Sequence, residues 1–404
     1  MTMSSKDKRP LAGMRVIDLA TMIAAPFCAG MLGEFGAEVI KVELPGTGDP
    51  LRQFGTTNAT GSSFNWLNEG RNKKAVTLDI RKPEGAELLK RLVAKSDVLV
   101  ENFRPGTLEK WGLDYETLKA INPDLILVRV SAYGQDGPYR NRPGYARVAH
   151  GFAGLTHLAG DPNGPPVVPG STALADYISG MYAALGAMLA LLARERYGIA
   201  QVVDVGLYEG IFRMLDELVP VYAATGFVRN RMGADTVNAA PHSHYRTRDN
   251  RWVALACSSD KMWERLARVM DRMDLVTPET YAFVKQRMAD VSEINKIVQD
   301  WMERHDQAEI IEKCLAGEVP LGPINTVADI FKDPQFEARC NLLRMPDARE
   351  GTVTIPNTIP RLSVTPGRVE SLGPDLGQHN EEIYGTLLGL NVSDLAALRQ
   401  KGLI

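Results

Sequence analysis

Cysteine is scarce in this chain. The four cysteines among 404 residues stand at positions 28, 257, 314 and 340, and none has CxxC or CxxH spacing. That argues against a zinc ribbon and a disulfide framework, so they read as reduced thiols of a cytosolic protein with no metal site. Neither sign of charge is in excess: 46 Lys and Arg against 49 Asp and Glu leave a net charge of -3. Nucleic acid and anionic membrane are therefore not expected as partners. An anionic ligand would have to be held by locally placed Arg, Lys and backbone N–H groups. Long hydrophobic runs are missing as well. The most apolar stretch, residues 181–193, is too short to span a bilayer and rich in Ala and Gly, as in a tightly packed interior helix. The N-terminus (MTMSSKDKRP) is polar with no apolar core, so a secretory signal is not expected and a cytoplasmic location is. Finally, the turn after the first predicted strand, residues 19–26 (LATMIAAP), has no glycine. The GxGxxG fingerprint of NAD and FAD sites is missing there.

What is present is an ordinary globular composition, 45% hydrophobic and 24% charged. Roughly 100–200 residues per domain implies two or three domains. Short apolar strands at 14–18, 38–43, 98–100 and 125–130 alternate with helical patterns at 26–35, 83–95 and 115–120. This alternation predicts an α/β fold with a doubly wound parallel sheet, whose ligands lie beyond the carboxyl ends of the strands. Residues 138–169 are rich in Gly, Pro and Tyr and read as long loops. A long helix at 172–196, a strand at 201–205 and a helical run at 207–228 follow. From about residue 241 the pattern changes to a strand at 251–257 and helices at 261–272 and 292–315, an α+β insert of about 80 residues. A terminal helix at 394–401 has Ser393 in position to cap it.

Asp176 is the unusual residue. It lies in a run, residues 172–192 (TALADYISGMYAALGAMLALL), otherwise free of charge. In the first turn of a helix it can be a plain dipole or capping residue. It can also be a partly desolvated carboxylate, still ionised near neutral pH and able to attack a thioester carbonyl. Composition and spacing leave both readings open.

Six segments point further: residues 15–43 (RVIDLATMIAAPFCAGMLGEFGAEVIKVE), 72–79 (NKKAVTLD), 98–105 (VLVENFRP), 131–145 (SAYGQDGPYRNRPGY), 173–180 (ALADYISG) and 322–325 (GPIN). In this order the chain resembles the class III CoA transferases (the CaiB/BaiF type), the family of formyl-CoA and carnitine-CoA transferases, from about residue 11 to the end. The resemblance implies a Rossmann-like large domain over 1–205, a linker helix over 206–240, a small α+β domain over 241–325 and a return over 326–404 that completes the large domain. It implies an interlocked dimer as well. The residue matching Asp176 is that family's nucleophile, passing through an aspartyl–acyl mixed anhydride and an aspartyl-CoA thioester. CoA is then a substrate, and no separate cofactor is implied.

By the same resemblance Thr21 and Met22 contact the adenosine-phosphate part of CoA, residues Asn72, Lys73, Lys74 and Ala75 run along it, Asn102, Phe103 and Arg104 add a further stretch, and Tyr145 is a further CoA-binding position. Taken alone, Lys73 and Lys74 read equally as solvated lysines, and Phe103 as core. The chain departs from the formyl-CoA transferase pattern at Leu44, where an Arg is expected, and at Ile23, where a Gln is. It also lacks that enzyme's run of glycines, whose place is taken by residues 238–244 (NAAPHSH), so formate and oxalate are disfavoured.

The dipeptide Gly144-Tyr145 replaces the Gly-His of the related α-methylacyl-CoA racemases, which removes one of two bases for proton transfer and weakens that alternative. Arg147 and His150, i and i+3, share one face of a helix if the segment is helical. Facing the acyl pocket, Arg147 would grip the distal carboxylate of a dicarboxylic acyl group; otherwise it is a surface Arg. His242 either closes over the acyl group or packs a domain junction. The expected substrates are an acyl-CoA and a carboxylic acid, with succinate, malate, citramalate, mesaconate or itaconate as favoured acyl groups. A CoA-binding subunit that works only with a paralogous partner is the third reading.

Overall fold

The computed structural model describes residues 7–58, 61–348 and 351–404 and divides into two units. The first holds the described residues up to Thr156, with Val168–Val228 and Ala338–Ile404; the second holds His157–Val167 and Arg229–Glu337.

At the centre of the first unit lie six parallel strands: β1 (Arg15–Asp18), β2 (Glu38–Glu43), β3 (Lys73–Thr77), β4 (Val98–Glu101), β5 (Ile126–Ser131) and β6 (Val202–Gly206). Their order is β3-β2-β1-β4-β5-β6, so the chain reverses direction across the sheet between β1 and β4. The two-residue period of a strand sends alternate side chains to opposite faces. Val16, Val98, Val100, Ile126 and Val128 join one buried cluster, and Ile17, Ile40, Leu99 and Leu127 the other. Both faces are apolar because both are covered.

The connecting helices are α1 (Ala24–Glu34), α2 (Phe64–Glu69), α3 (Pro83–Val93), α4 (Thr107–Lys110), α5 (Tyr115–Ile121), α6 (Ala146–Phe152), α7 (Leu155–Leu158), α8 (Leu174–Tyr197), α9 (Leu207–Arg213) and α10 (Leu218–Thr225). Pro83 opens α3, where its missing N–H costs nothing. Helices α1 and α8 pack along small residues, Ala24, Ala25, Cys28 and Ala29 against Ala183, Ala184 and Ala187. Gly180 sits at the tightest point, where a Cβ would lie 2.5 Å from the Ala24 carbonyl oxygen. The sequence suggested that the apolar run here is too short for a membrane span. The helix is in fact 24 residues long, and it is the one described helix long and apolar enough to cross a bilayer. Much of it is buried against α1, β5, β6 and α9.

In the second unit, β7 (His242–Arg246), β8 (Trp252–Ala256) and β9 (Leu321–Pro323) form an antiparallel sheet. Around it pack α11 (Asp260–Val269), α12 (Val284–Ala289), α13 (Val291–Met302) and α14 (Gln307–Ala316), with Trp263, Leu266, Ile294 and Trp301 in the core. Two short helices, α15 (Val327–Ile330) and α16 (Pro334–Ala338), lead out. The chain then returns through the hairpin β10 (Leu342–Asp347) and β11 (Gly351–Pro356), a π-helical turn at Glu381–Leu387 and α17 (Val392–Gln400). Ile383, Tyr384, Leu395 and Leu403 cover the second sheet face, the Tyr384 hydroxyl donates to the Thr77 carbonyl at 2.9 Å, and the Leu403 carbonyl accepts from the Asp79 amide at 2.9 Å.

Several local expectations need correction. The loop-rich segment 138–169 contains α6 and α7. The helical run 207–228 is broken into α9 and α10 near Asp216, whose φ is 55°. The stretch 206–228 packs with the first unit rather than forming a linker, because α9 lies on α8 and α6. Asn391, not Ser393, caps the last helix, accepting from the Asp394 amide at 2.9 Å. Helix α2 and strands β3 and β7 were not anticipated, since each is short and too polar to show a period.

Candidate active site

The carboxyl ends of β1 and β4 flank the switch point, and the turn after β1 is held there by side chains from below. The amide of Ala20 donates to Asp18 Oδ1 at 3.2 Å, that of Thr21 to Asn102 Oδ1 at 2.9 Å and that of Met22 to Asp49 Oδ1 at 3.0 Å. Asn102 closes the ring by donating to the Thr21 carbonyl at 2.7 Å, tying the end of β4 to the end of β1. Met22 has φ 66°, a left-handed conformation that costs a non-glycine residue about 1–3 kcal/mol and survives only where its surroundings dictate it. Beneath the turn, buried Lys41 lies 2.8 Å from Asp49 and 3.6 Å from Asp18, and its ammonium also donates to the Ala20 carbonyl. The flanking carboxylates hold Lys41 charged, and the Lys41 ammonium in turn keeps Asp49 below its usual range despite burial.

A cavity of about 710 Å³ opens above this turn. Thr21, Met22, Ile23, Asn102, Phe103 and Arg104 line it, as do Ser131, Tyr145, Arg147, His150 and Asp176. A neighbouring cavity of about 580 Å³ shares Thr21, Pro50 and Phe103 and extends over Glu43, Leu44, the Gly46–Asp49 backbone and Arg81. Phe103 packs edge-on against Trp111 at 5.2 Å between ring centres.

Asp176 is the third residue of α8 and half-buried. Among the described residues its carboxylate has no hydrogen-bond partner, and burial raises its pKa to about 6. The helix lacks a capping side chain of its own, because Ala173 occupies that place. His150 of α6 supplies the acceptor instead: its Nε2 takes the Ala175 amide at 2.9 Å. Tyr177 fixes the other side, packing edge-on against Phe27 at 5.0 Å and donating to Glu69 Oε1 at 3.2 Å. The nucleophile candidate is therefore held from both flanks while its own oxygens are left unengaged.

Sequence reasoning named ten residues that the fold brings to this cavity: Thr21, Met22, Ile23, Asn102, Phe103, Arg104, Tyr145, Arg147, His150 and Asp176. It does not bring the segment 72–75 there. Lys73 is buried, with its ammonium 2.9 Å from Asp18 Oδ2 and 2.7 Å from the Pro26 carbonyl. Lys74 pairs with Glu38 at 2.7 Å and Glu382 at 2.5 Å. Asn72 accepts from the Glu370 amide at 2.7 Å and donates to the Arg368 carbonyl at 2.7 Å, and the Ala75 amide donates to His379 Nδ1 at 3.1 Å. The reason is topological: these residues begin β3, and a parallel strand presents its carboxyl end, not its start, to the switch point. His242 lies on β7 of the second unit, with Nδ1 3.3 Å from the Ser258 hydroxyl. Arg147 is exposed and His150 fully buried, so the shared helical face has one wet and one dry end.

Missed from the sequence were Asp49 and Lys41 under the turn, Ser131 in the cavity wall and the loop 44–49. The Pro-Gly-Thr-Gly run after β2 was the available signal for that loop, a glycine-rich turn at a strand's carboxyl end.

Comparison with known proteins gives a consistent result. The model of a family described as CoA-transferase family III matches residues 11–380. The chain is 51% identical to the succinyl-CoA–L-malate CoA-transferase beta subunit of Chloroflexus aurantiacus, over 98% of each chain. It is 48% identical to the alpha subunit of that enzyme from Chloroflexus aurantiacus, over 99% of this chain and 94% of that one. Among solved structures, a CAIB/BAIF family protein from Brucella suis superposes with a TM-score of 0.83 at 34% identity, covering 94% of this chain and 99% of the other.

Proposed function

Since the chain belongs to CoA-transferase family III and is an enzyme that transfers CoA, we propose that it moves CoA from succinyl-CoA to a C4–C5 dicarboxylic acid of the malate, citramalate, mesaconate or itaconate type through a covalent intermediate on Asp176. The observation that carries this reading is the unengaged, half-buried carboxylate of Asp176 in the cavity at the switch point. Partial desolvation makes it a better nucleophile than a hydrated carboxylate, and a pKa of about 6 leaves it mostly ionised at pH 7. One oxygen attacks the thioester carbonyl, the C–S bond breaks, and CoA leaves as thiolate with the bonding pair, giving an aspartyl–acyl mixed anhydride. The thiolate then attacks the Asp176 carbonyl, and the C–O bond to the first acid breaks, releasing it as carboxylate. The incoming acid reverses both steps. CoA is a substrate throughout, no separate cofactor takes part, and the enzyme works in the cytoplasm.

The dicarboxylate preference rests on Arg147, exposed in the wall of the cavity that Asp176 also lines, and on the names of the relatives. Its planar fork suits a distal carboxylate. Arg147→Ala should raise KM for dicarboxylic substrates about 10- to 100-fold, as expected for a charge-assisted hydrogen bond, and leave monocarboxylic ones nearly unchanged. Equal losses for both would remove Arg147 from substrate recognition.

A second chain completes the assembly, as an interlocked homodimer or with a paralogous subunit. Met181, Leu185, Leu189 and Leu192 of α8 form an exposed apolar row at helical spacing, which supports an occupied surface.

The covalent mechanism is tested by mass spectrometry of the protein incubated with succinyl-CoA, using hydroxylamine to trap the activated acyl group. A modification on Asp176, absent from Asp176→Ala, is the expected result. No adduct with any of a panel of acyl-CoAs would overturn the mechanism.

A further inference from the structure

Two buried polar atoms in the wall of the Asp176 cavity have no protein partner among the described residues: Nδ1 of His150 and the hydroxyl oxygen of Ser131. Both side chains are more than nine-tenths buried, His150 at 0% exposure and Ser131 at 7%. Buried polar groups are nearly always paired, so two unpaired ones on residues that line a common cavity call for a ligand that completes them.

The state of the His150 ring follows from its other nitrogen. Nε2 accepts the Ala175 amide at 2.9 Å and so carries no proton. A neutral imidazole has one N–H, and the proton must therefore sit on Nδ1. Burial and the nearby Arg147 cation hold the pKa of His150 below its ordinary value, which keeps the ring neutral at pH 7. The N-terminus of α8 thus selects a single tautomer, with a buried donor one ring-width from the amide that precedes Asp176.

The geometry assigns the Nδ1–H of His150 as a hydrogen-bond donor to the acyl carbonyl oxygen when Asp176 is acylated, with the Ser131 hydroxyl as a second donor in the same wall. This assignment rests on Asp176 being the nucleophile. As the Asp176 oxygen adds to the thioester carbonyl, the carbonyl π pair moves onto oxygen; the two donors stabilise that oxyanion and no proton is transferred. When the C–S bond breaks, the pair returns. A donor already fixed in a dry site needs no reorganisation at that moment, and losing one such donor costs about 100- to 1000-fold in kcat. Because the interaction strengthens only in the transition state, kcat should fall with KM little changed.

The two nitrogens of His150 can be separated by substitution. In His150→Gln the side-chain carbonyl oxygen reaches the Nε2 position and still accepts the Ala175 amide, whereas the Nδ1 donor is gone. In His150→Asn the amide group lies near the Nδ1 position and cannot reach Ala175. The expected result is that His150→Gln melts within a degree or two of the parent protein but loses about 100-fold in kcat at unchanged KM for succinyl-CoA. His150→Asn should melt several degrees lower and lose less kcat than His150→Gln. The Asp176 adduct should still form in His150→Gln, only more slowly. A kcat for His150→Gln within about threefold of the parent, or a loss confined to KM, would overturn the assignment while leaving the covalent mechanism standing. Absence of the adduct in the parent protein would instead remove the premise.

Discussion

Replacing Asp176 by Asn should stabilise the substrate-free protein at neutral pH while abolishing transfer. Burial raises the carboxyl from its ordinary 3.8 to about 6. At about 1.4 kcal/mol per pH unit, keeping that group ionised in the folded state costs about 3 kcal/mol. The N-terminal end of α8 returns about 0.5–1 kcal/mol, since a negative charge in the first turn is favoured there. Desolvation is the larger effect, and the net penalty is about 2 kcal/mol. Because the folded-state pKa lies above that of the unfolded chain, the penalty is fully present above pH 6. It shrinks as the folded protein takes up a proton between pH 6 and 4, and vanishes below. Asn carries no charge at any pH. The variant should therefore melt about 4 °C above the parent at pH 8, on a scale of about 2 °C per kcal/mol for a unit of this size, and coincide with it at pH 4. The assay is thermal unfolding across that range at one protomer concentration, without CoA. The same ionisation predicts that kcat/KM of the parent declines as pH drops through about 6. A variant no more stable at pH 8, or an advantage independent of pH, would refute the reasoning.

Three further outcomes follow from packing and pairing. Lys73→Met should lower stability by about 1–3 kcal/mol in urea unfolding, because Asp18 and the Pro26 carbonyl each lose a buried partner while Lys41 stays 3.6 Å from Asp18, and KM for CoA in folded enzyme should stay within about twofold. In Gly180→Val the side chain would meet the Ala24 carbonyl and the Phe27 ring, so α1 and α8 must part; a loss of about 1–3 kcal/mol is expected, together with reduced kcat as Asp176 shifts. In the second unit, Arg287 donates to the carbonyls of Ala240, Tyr281 and Ala282 and pairs with Asp260. Removing it in Arg287→Ala should cost about 3–5 kcal/mol, read as a lower unfolding midpoint of that unit.

The pattern of apolar runs was enough to expect a parallel sheet and a site beyond its strand ends. Residues 38–43 alternate Val and Ile with charged residues, residues 125–130 are mostly apolar, and both patterns can be seen without tertiary knowledge. Strand β3 escaped because two of its five residues are lysines, and only a folded partner, Asp18, makes a lysine a buried residue. Helix α2 and strand β7 escaped for the same reason, their character being conferred by what packs on them.

For the site, the candidate nucleophile and much of the cavity lining were legible, and the contacts that hold them were not. An uncharged helical run interrupted by one Asp marks position 176 in any reading of the chain, and the six ordered motifs tie it to a family. Two properties lay outside the sequence. That Asp18, Lys41, Asp49 and Asn102 converge on one turn depends on where three strands, β1, β2 and β4, end relative to each other and on the loop that follows β2. That His150 caps the helix bearing Asp176, by accepting the amide of Ala175 25 residues further along the chain, depends on α6 packing against α8. Composition and period act along the chain, whereas protonation state, desolvation and strain are set by neighbours across space. The sequence by itself singled out Asp176 as the candidate nucleophile; only the tertiary structure decided how buried it is, what holds it, and which nitrogen of His150 accepts the Ala175 amide.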